Sequence, residues 1–419
     1  MATGSYSTKR VSSCLQTDFC ISYDEKAASE DILNGPRASL VQRQQYGMPI
    51  HDNRLIAGDN LNVLRALTAD LSVAKQVKLI YIDPPYATGF DFQSATVGLA
   101  YSDQSQGATY LEALRCRLLL LHKLMSDDGS IYLHLDQNML FPAKILMDEV
   151  FGAKCFRNLI TRVKCNPKNQ TRKQYGDVCD YLLFYTKTDD YVWNDPVESW
   201  GLIEGEKEYL CVEEDTGRRY KKVPCHLPGI RHGATGEPWR GRNPPPGKHW
   251  VHAPGKLDEL DRNGRIYWSK TGNPRRKLYL DESAGKRRNN LWTDFKDTQN
   301  QNARVTGYPT EKNPEMLRMI IEASSNPDEL VLDAYAGSGT TLTAAGSLGR
   351  RWIGIDSSPT AITVSVDRLR HGTPRMGSYA RKTYIKRAAG EKLPDADLSF
   401  GLWIDSENRL LTSRFAHLP

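Results

Sequence analysis

Between Arg54 and Asp356 the chain alternates short apolar runs with helix-spaced leucines, a rhythm that neither an all-helical bundle nor an all-β sandwich accommodates. Arg54 to Asp59 reads as a strand, and Asn60 to Leu67 follows with helical spacing of Leu61, Leu64 and Leu67. Val77 to Ile82 is a second strand, apolar in the manner of a parallel sheet covered on both faces. A leucine-rich basic helix over Tyr110 to Met125, a strand over Gly129 to Leu135, a helix around Phe141 to Val150 and a strand over Tyr181 to Tyr185 continue the series. After a long interruption it resumes: helix Asn313 to Ser324, strand Glu329 to Ala334, helix Thr340 to Leu348, strand Trp352 to Asp356. The expected fold is a doubly wound, Rossmann-like α/β sheet, split by an insertion.

The interruption sets the domain boundaries. Residues 193–302 lack regular periodicity and are rich in Gly, Pro and charge, as in Trp239-Arg240-Gly241-Arg242-Asn243-Pro244-Pro245-Pro246. A stretch this long is not one loop, so it reads as an inserted module with short elements. Residues 46–192 and 303–375 then form the two parts of one domain, with an N-terminal arm at 1–45 and a C-terminal extension at 376–419. The net charge of +6 is uneven: residues 154–304 hold 29 Lys and Arg against 20 Asp and Glu, leaving the remainder slightly acidic. Six of the eight tryptophans lie in the same segment. Basic residues interleaved with aromatics suit a polyanion with stackable bases, although a solvated, salt-bridged face would look the same.

Other classes recede. No apolar run approaches bilayer-spanning length, and Met1 to Lys9 has no signal-peptide core, so a cytoplasmic location with no membrane partner is expected. The eight cysteines contain no C-x-x-C pair, and no metal site is expected.

The strand Val77 to Ile82 ends in Asp83-Pro84-Pro85-Tyr86. A Pro-Pro pair there can be no more than a stiff turn, but the residue types also fit methylation of an amine on a nucleic-acid base. Such an amine is conjugated with its ring and is a poor nucleophile, so hydrogen-bond acceptors must draw its lone pair out and accommodate positive charge. The Asp83 carboxylate offers one acceptor, and the Pro84 carbonyl, stiffened by Pro84 and Pro85, offers another. Tyr86 supplies a face on which an extruded base stacks.

A second motif follows the insertion. Leu330-Val331-Leu332-Asp333-Ala334-Tyr335-Ala336-Gly337-Ser338-Gly339-Thr340-Thr341 runs from strand through Gly-rich turn into helix. Such a turn admits a ligand close to the backbone and presents N–H groups at a helix start. No Lys follows Gly339, which excludes a P-loop, and Leu342 stands where a dinucleotide fingerprint has its third Gly. S-adenosylmethionine fits: its methionine part would lie along Gly337 to Gly339, and Asp356 would accept the ribose hydroxyls from the end of the next strand.

These motifs, in this order about a basic insert, resemble the permuted, beta-class DNA amino-methyltransferases of bacteria and phages over roughly Arg54 to Leu369. The resemblance implies a circularly permuted methyltransferase fold in which the insert is a target-recognition module. It also implies that Asp59 and Asn60 lie at the cofactor's adenine, and that Thr310 and Lys312, in Tyr308-Pro309-Thr310-Glu311-Lys312, contact the cofactor. Asp333, Tyr335, Ser338 and Thr340 complete its cofactor-binding set, with Tyr335 in the place where the family usually has Phe. Phe156 to Ile160 resembles the stretch leading to the target base. Asn313 stands where Pro is common after the Lys.

The function expected from this resemblance is transfer of a methyl group from S-adenosylmethionine to the N6 amine of a flipped adenine in double-stranded DNA, in restriction-modification or phage defence. Arg231, Arg240, Arg242, Arg275 and Arg276 would be available for base edges. N4 of cytosine remains open, since the same acceptors could hold its amine; the resemblance favours adenine because Asp, rather than Ser, opens the motif. A catalytically silent DNA-binding scaffold in a defence assembly also remains open. A homodimer or defence-system subunits are the further partners the resemblance admits, while the chain is short for a type III modification subunit.

Overall fold

The structure, a computed structural model, describes residues 20–49, 51–85, 91–94, 98–102, 107–166, 173, 175–297, 306, 308, 311–373 and 396–415. The chain divides into two compact units, residues 196–288 and the remainder. Among the described residues the larger unit is built on a ten-stranded mixed sheet. Its strands in chain order are β1 (Leu40–Tyr46), β2 (Arg54–Ala57), β3 (Val77–Ile82), β4 (Met125–Leu135), β5 (Phe156–Val163), β6 (Cys179–Thr186), β7 (Leu291–Trp292), β8 (Leu330–Asp333), β9 (Arg351–Asp356) and β10 (Phe400–Asp405). They lie in the order β1-β10-β2-β9-β8-β3-β4-β6-β5-β7. From β10 to β4 all neighbours run parallel; β1, β6 and β5 add antiparallel pairs.

The central strands are apolar on both faces because both are covered. On one face Ile56, Ile80, Ile82, Leu332 and Ile353 pack under α1 (Asn60–Leu67), α2 (Gly107–Leu124) and α3 (Leu140–Phe151). On the other, Leu55, Leu79, Val331 and Trp352 pack under α4 (Pro314–Ser324), α5 (Thr340–Ser347) and α6 (Pro359–His371). The expected doubly wound α/β architecture is present.

The ends of the chain differ from the sequence reading. Both the expected N-terminal arm and the expected C-terminal extension contribute strands, since β1 pairs with β10 and β10 pairs with β2. β1 carries Gln42-Arg43-Gln44-Gln45 and is largely exposed, so it is held by ladder hydrogen bonds and lacks the apolar alternation by which strands are read. The interruption is also narrower than expected. Leu291 and Trp292 pair with Thr161 and Arg162 of β5, which returns residues beyond 288 to the large sheet.

The smaller unit contains a four-stranded antiparallel sheet of Cys211–Val212, Arg219–Pro224, Pro274–Tyr279 and Ile266–Trp268. Its core is Cys225, Trp239, Trp250, Leu257 and Ile266, with Trp268 against it. Trp239 and Trp250 are buried, and their indole N–H groups donate to Asp258 and to the Glu237 carbonyl at 2.9 and 3.0 Å. These tryptophans build the module's own interior, where the sequence suggested surfaces for stacking bases. A unit this small needs large aromatic payloads to bury enough area. One sheet face instead presents cations over tyrosines, with Lys222 3.6 Å from the Tyr267 ring centre and Arg265 4.8 Å from that of Tyr279. Among the described residues no helix is long and apolar enough to cross a membrane.

Candidate active site

Strand pairing brings together the two motifs that lie far apart in sequence. β8 runs parallel to β3, with Val331 opposite Leu79 and Leu332 opposite Ile80. Asp83 leaves the carboxyl end of β3 beside the Gly-rich turn leaving β8. Successive connections wind away from this point in opposite directions, and the crevice outside such a switch point is where open α/β sheets bind ligands. Pro84 is buried, with Asp83 and Pro85 half-buried beside it. Tyr86 and Thr310 lie outside the described residues.

The turn is shaped by two left-handed glycines. Gly337 has φ +52° and Gly339 φ +75°, and a Cβ on Gly339 would stand 2.9 Å from the Ser365 hydroxyl oxygen. That hydroxyl donates to the Gly337 carbonyl at 2.9 Å. Two of the N–H groups expected to face a ligand are used internally: Gly339 donates to the Ala336 carbonyl at 2.8 Å and Gly337 to Asp356 Oδ2 at 2.9 Å. The glycines therefore serve close approach more than donation. Ser338 and Thr340 are buried and turned onto Arg368, whose Nη1 donates to their hydroxyls at 3.2 and 2.7 Å. The same nitrogen pairs with Glu311 at 2.7 Å, both side chains being 3% exposed.

Asp356 joins the turn to β9. Its second oxygen accepts from the Ser358 N–H at 2.8 Å. Burial pushes its carboxyl up to about 6, against hydrogen bonds from Ser358, Gly337 and Ser357. Asp333 is buried at the end of β8 and accepts from the Tyr335 N–H at 2.9 Å. Burial raises its carboxyl to about 7; bonds from Thr341 and Tyr335 oppose this, and the charges of Asp83 and Asp356 reinforce it. Asp333 and Asp356, neighbouring carboxyl groups reluctant to ionise, form a cradle suited to a cation.

The residues expected at the cofactor's adenine cluster as well. Asp59 caps α1, its Oδ1 accepting from Leu61 and Asn62 N–H at 3.0 and 3.3 Å. Asn60 donates to the Ala334 carbonyl at 2.8 Å, tying α1 to the end of β8. Arg117, which the sequence reading missed, donates to Asn60 Oδ1 and lies 3.7 Å from Asp59 Oδ2. Its signal was a cation inside the leucine-rich run of α2. Burial raises the Tyr335 hydroxyl in the same cluster, while Arg117 and Asn60 oppose it.

Lys312 lies against the first motif. Its ammonium lies 2.8 Å from Asp83 Oδ2, with side-chain exposures of 11% and 18%. Asn313, immediately after it, caps α4 by accepting from Glu315 N–H at 2.9 Å. Behind this pair runs a buried polar chain that no sequence motif announced. Tyr81 Oη is 2.7 Å from His134 Nδ1, and His134 Nε2 is 3.0 Å from Asp180 Oδ2. Arg162 donates to that oxygen at 2.8 Å, to Asp297 at 2.6 Å and to the Phe295 carbonyl at 2.6 Å. Burial opposes ionisation of Asp180, but His134, Arg162 and Lys312 together hold its carboxyl far below the usual range. Each member sits on a different strand of β3, β4, β6 and β5, so the chain links neighbouring strands beside the Asp83 end of the sheet.

On the smaller unit, Arg231, Arg242 and Arg275 are exposed, while Arg276 is half-buried. Arg240 is engaged by Asp258 and Asp261. Phe156 to Ile160 lies in β5.

Comparison with known proteins gives concordant matches. A family profile described as DNA methylase matches residues 77–367. The type II methyltransferase M.EcaI of Enterobacter cloacae is 46% identical over 80% of this chain and 73% of its own length. The StyLTI Mod subunit, a type III restriction-modification enzyme of Salmonella typhimurium, is 28% identical over 71% of this chain, which spans 50% of it. The DNA adenine methyltransferase YhdJ of Escherichia coli K12 is 24% identical over 75% of this chain and 82% of its own.

Proposed function

This chain belongs to the N6/N4 DNA methylase family and is an S-adenosylmethionine-dependent DNA methyltransferase, and from that premise we propose that its acceptor is the N6 amine of an adenine rotated out of duplex DNA. The observation that carries the reading is the parallel pairing of β3 with β8, which sets the Asp83-Pro84 acceptors beside the Gly-rich turn. The first-position Asp and the relatives named for adenine or for restriction-modification favour adenine and a role in marking genomic DNA in a bacterial cytoplasm.

S-adenosylmethionine supplies a methyl group on a positively charged sulfur. Asp333, buried, and Asp356, half-buried, fit that charge, and Gly337 and Gly339 leave room for the ligand against the backbone. Asn60, Arg117 and Tyr335 would border its adenine, and Asp356 its ribose. Asp83 and the Pro84 carbonyl accept the two hydrogens of the target amine, which localises the lone pair on nitrogen for in-line attack on the methyl carbon. As the amine nitrogen gains the methyl group, that group's bond to sulfur would break, with its electron pair left on sulfur. The methylated nitrogen sheds one proton, passed by Asp83 to solvent. Tyr86 supplies the stacking face for the flipped ring. Exposed Arg231, Arg242 and Arg275 are the phosphate and base-edge candidates of the insert.

Incubation with labelled S-adenosylmethionine and mixed-sequence duplex DNA, followed by nucleoside analysis, tests the reading. N6-methyladenine is expected. N4-methylcytosine would replace the acceptor, and cofactor and DNA binding without transfer would mark a scaffold. Asp83→Ala should abolish turnover while sparing most cofactor affinity. A size measurement with and without DNA decides whether the working unit is a homodimer.

A further inference from the structure

Glu311 and Lys312 are consecutive residues that hold opposite halves of the site. Glu311 is bound through Arg368 to Ser338 and Thr340, the methyl-donor turn. Its second oxygen accepts from the Thr306 N–H and hydroxyl, both at 2.8 Å, so the carboxylate is fixed from both sides. Lys312 is bound to Asp83, the amine-activating carboxylate. Asn313 then stops the segment by capping α4. A carboxylate's terminal torsion is broad, and a lateral ammonium selects one orientation from that range. At 11% exposure the Lys312 side chain is already immobilised, so holding Asp83 takes little further ordering.

We propose that Lys312 is a positioning residue: anchored to the methyl-donor turn by Glu311 and Arg368, it sets the orientation of Asp83 so that the target amine meets the methyl group in line. The segment thereby registers the two motifs that the permuted chain order separates. The inference rests on the methyltransferase reading above. It departs from a direct cofactor contact for Lys312, because the ammonium is turned to the amine side of the site.

Single-turnover methylation of duplex DNA at saturating cofactor tests it, with cofactor affinity measured separately by calorimetry. Wild-type transfer is the control, and its absence would overturn the function itself. Given transfer by the wild type, Lys312→Met should slow the single-turnover rate about 100-fold, the scale of an ångström-sized misplacement. Cofactor affinity should stay within about threefold, and Lys312→Arg should regain at least about tenfold in rate. Lys312→Gln, which keeps a donor without the charge, guards against a folding defect; with an unaltered melting transition it should fall between Met and Arg. A rate within about threefold of wild type in Lys312→Met or folded Lys312→Gln overturns the proposal. So does loss of cofactor affinity with the saturated rate intact, which would make Lys312 a ligand contact.

Discussion

On the proposed placement of S-adenosylmethionine against Asp333 and Asp356, cofactor binding depends on pH. Asp333 is 3% exposed, and its carboxyl is raised from 3.8 to about 7, chiefly by burial. At about 1.4 kcal/mol per unit, ionising it without a nearby cation costs on the order of 4 kcal/mol relative to an exposed carboxyl. The folded, ligand-free protein therefore holds this proton where the unfolded chain has lost it. The group destabilises the fold progressively from about pH 4 to 7, and fully above. A cationic ligand prefers the ionised form. About a tenth of Asp333 is ionised at pH 6 and about nine-tenths at pH 8, so S-adenosylmethionine should bind about tenfold tighter at pH 8. Asp356, raised to about 6, adds about a further factor of two. Calorimetry across that range, in two buffers of different ionisation enthalpy, should show a proton released on binding below pH 7. S-adenosylhomocysteine, with an uncharged sulfur, should depend on pH less. Asp333→Asn should leave only the roughly twofold dependence that Asp356 contributes. Equal affinity at pH 6 and 8, or a roughly tenfold or greater slope that survives in Asp333→Asn, would refute the reasoning.

Other perturbations separate the parts of the molecule. Gly339→Val places a branched side chain at φ +75° and within 2.9 Å of Ser365 Oγ; it should lower stability by at least about 1–2 kcal/mol in denaturant titration, and weaken cofactor binding as the turn shifts. Asp180→Asn takes from Arg162 its buried carboxylate while Asp297 stays paired with it, and a loss of about 1–3 kcal/mol in the same titration is expected. Arg275→Ala, on an exposed position of the smaller unit, should weaken DNA binding and reduce the salt dependence by about one counterion if it contacts a phosphate. Unchanged affinity and slope would remove Arg275 from the interface.

What the sequence made legible follows from where its signals are local. The central strands declare themselves because a parallel sheet buried on both faces demands near-continuous apolar runs, as in Val77 to Ile82 and Leu330 to Asp333. Asp83 and the Gly-rich turn are legible because their chemistry requires particular residue types at consecutive positions. β1 was not, since an edge strand with exposed glutamines is specified by its partner β10 and not by its own pattern. The tryptophans of the smaller unit misled because composition reports that aromatics are present, not which way they face. Lys312 shows the same limit in its sharpest form. The family resemblance set it with Thr310 at the cofactor, and no motif announces its ion pair with Asp83, because a lysine reaches several ångströms from its backbone to a group that only the fold brings near. The polar chain from Tyr81 to Asp297 is scattered over four strands and a loop. Each of Tyr81, His134, Asp180 and Arg162 looks like an ordinary residue of its own strand, and only the strand order β3-β4-β6-β5 makes them neighbours. In a permuted, split domain, chemistry carried by one motif can be read before folding, whereas chemistry shared between strands exists only once the sheet has ordered them.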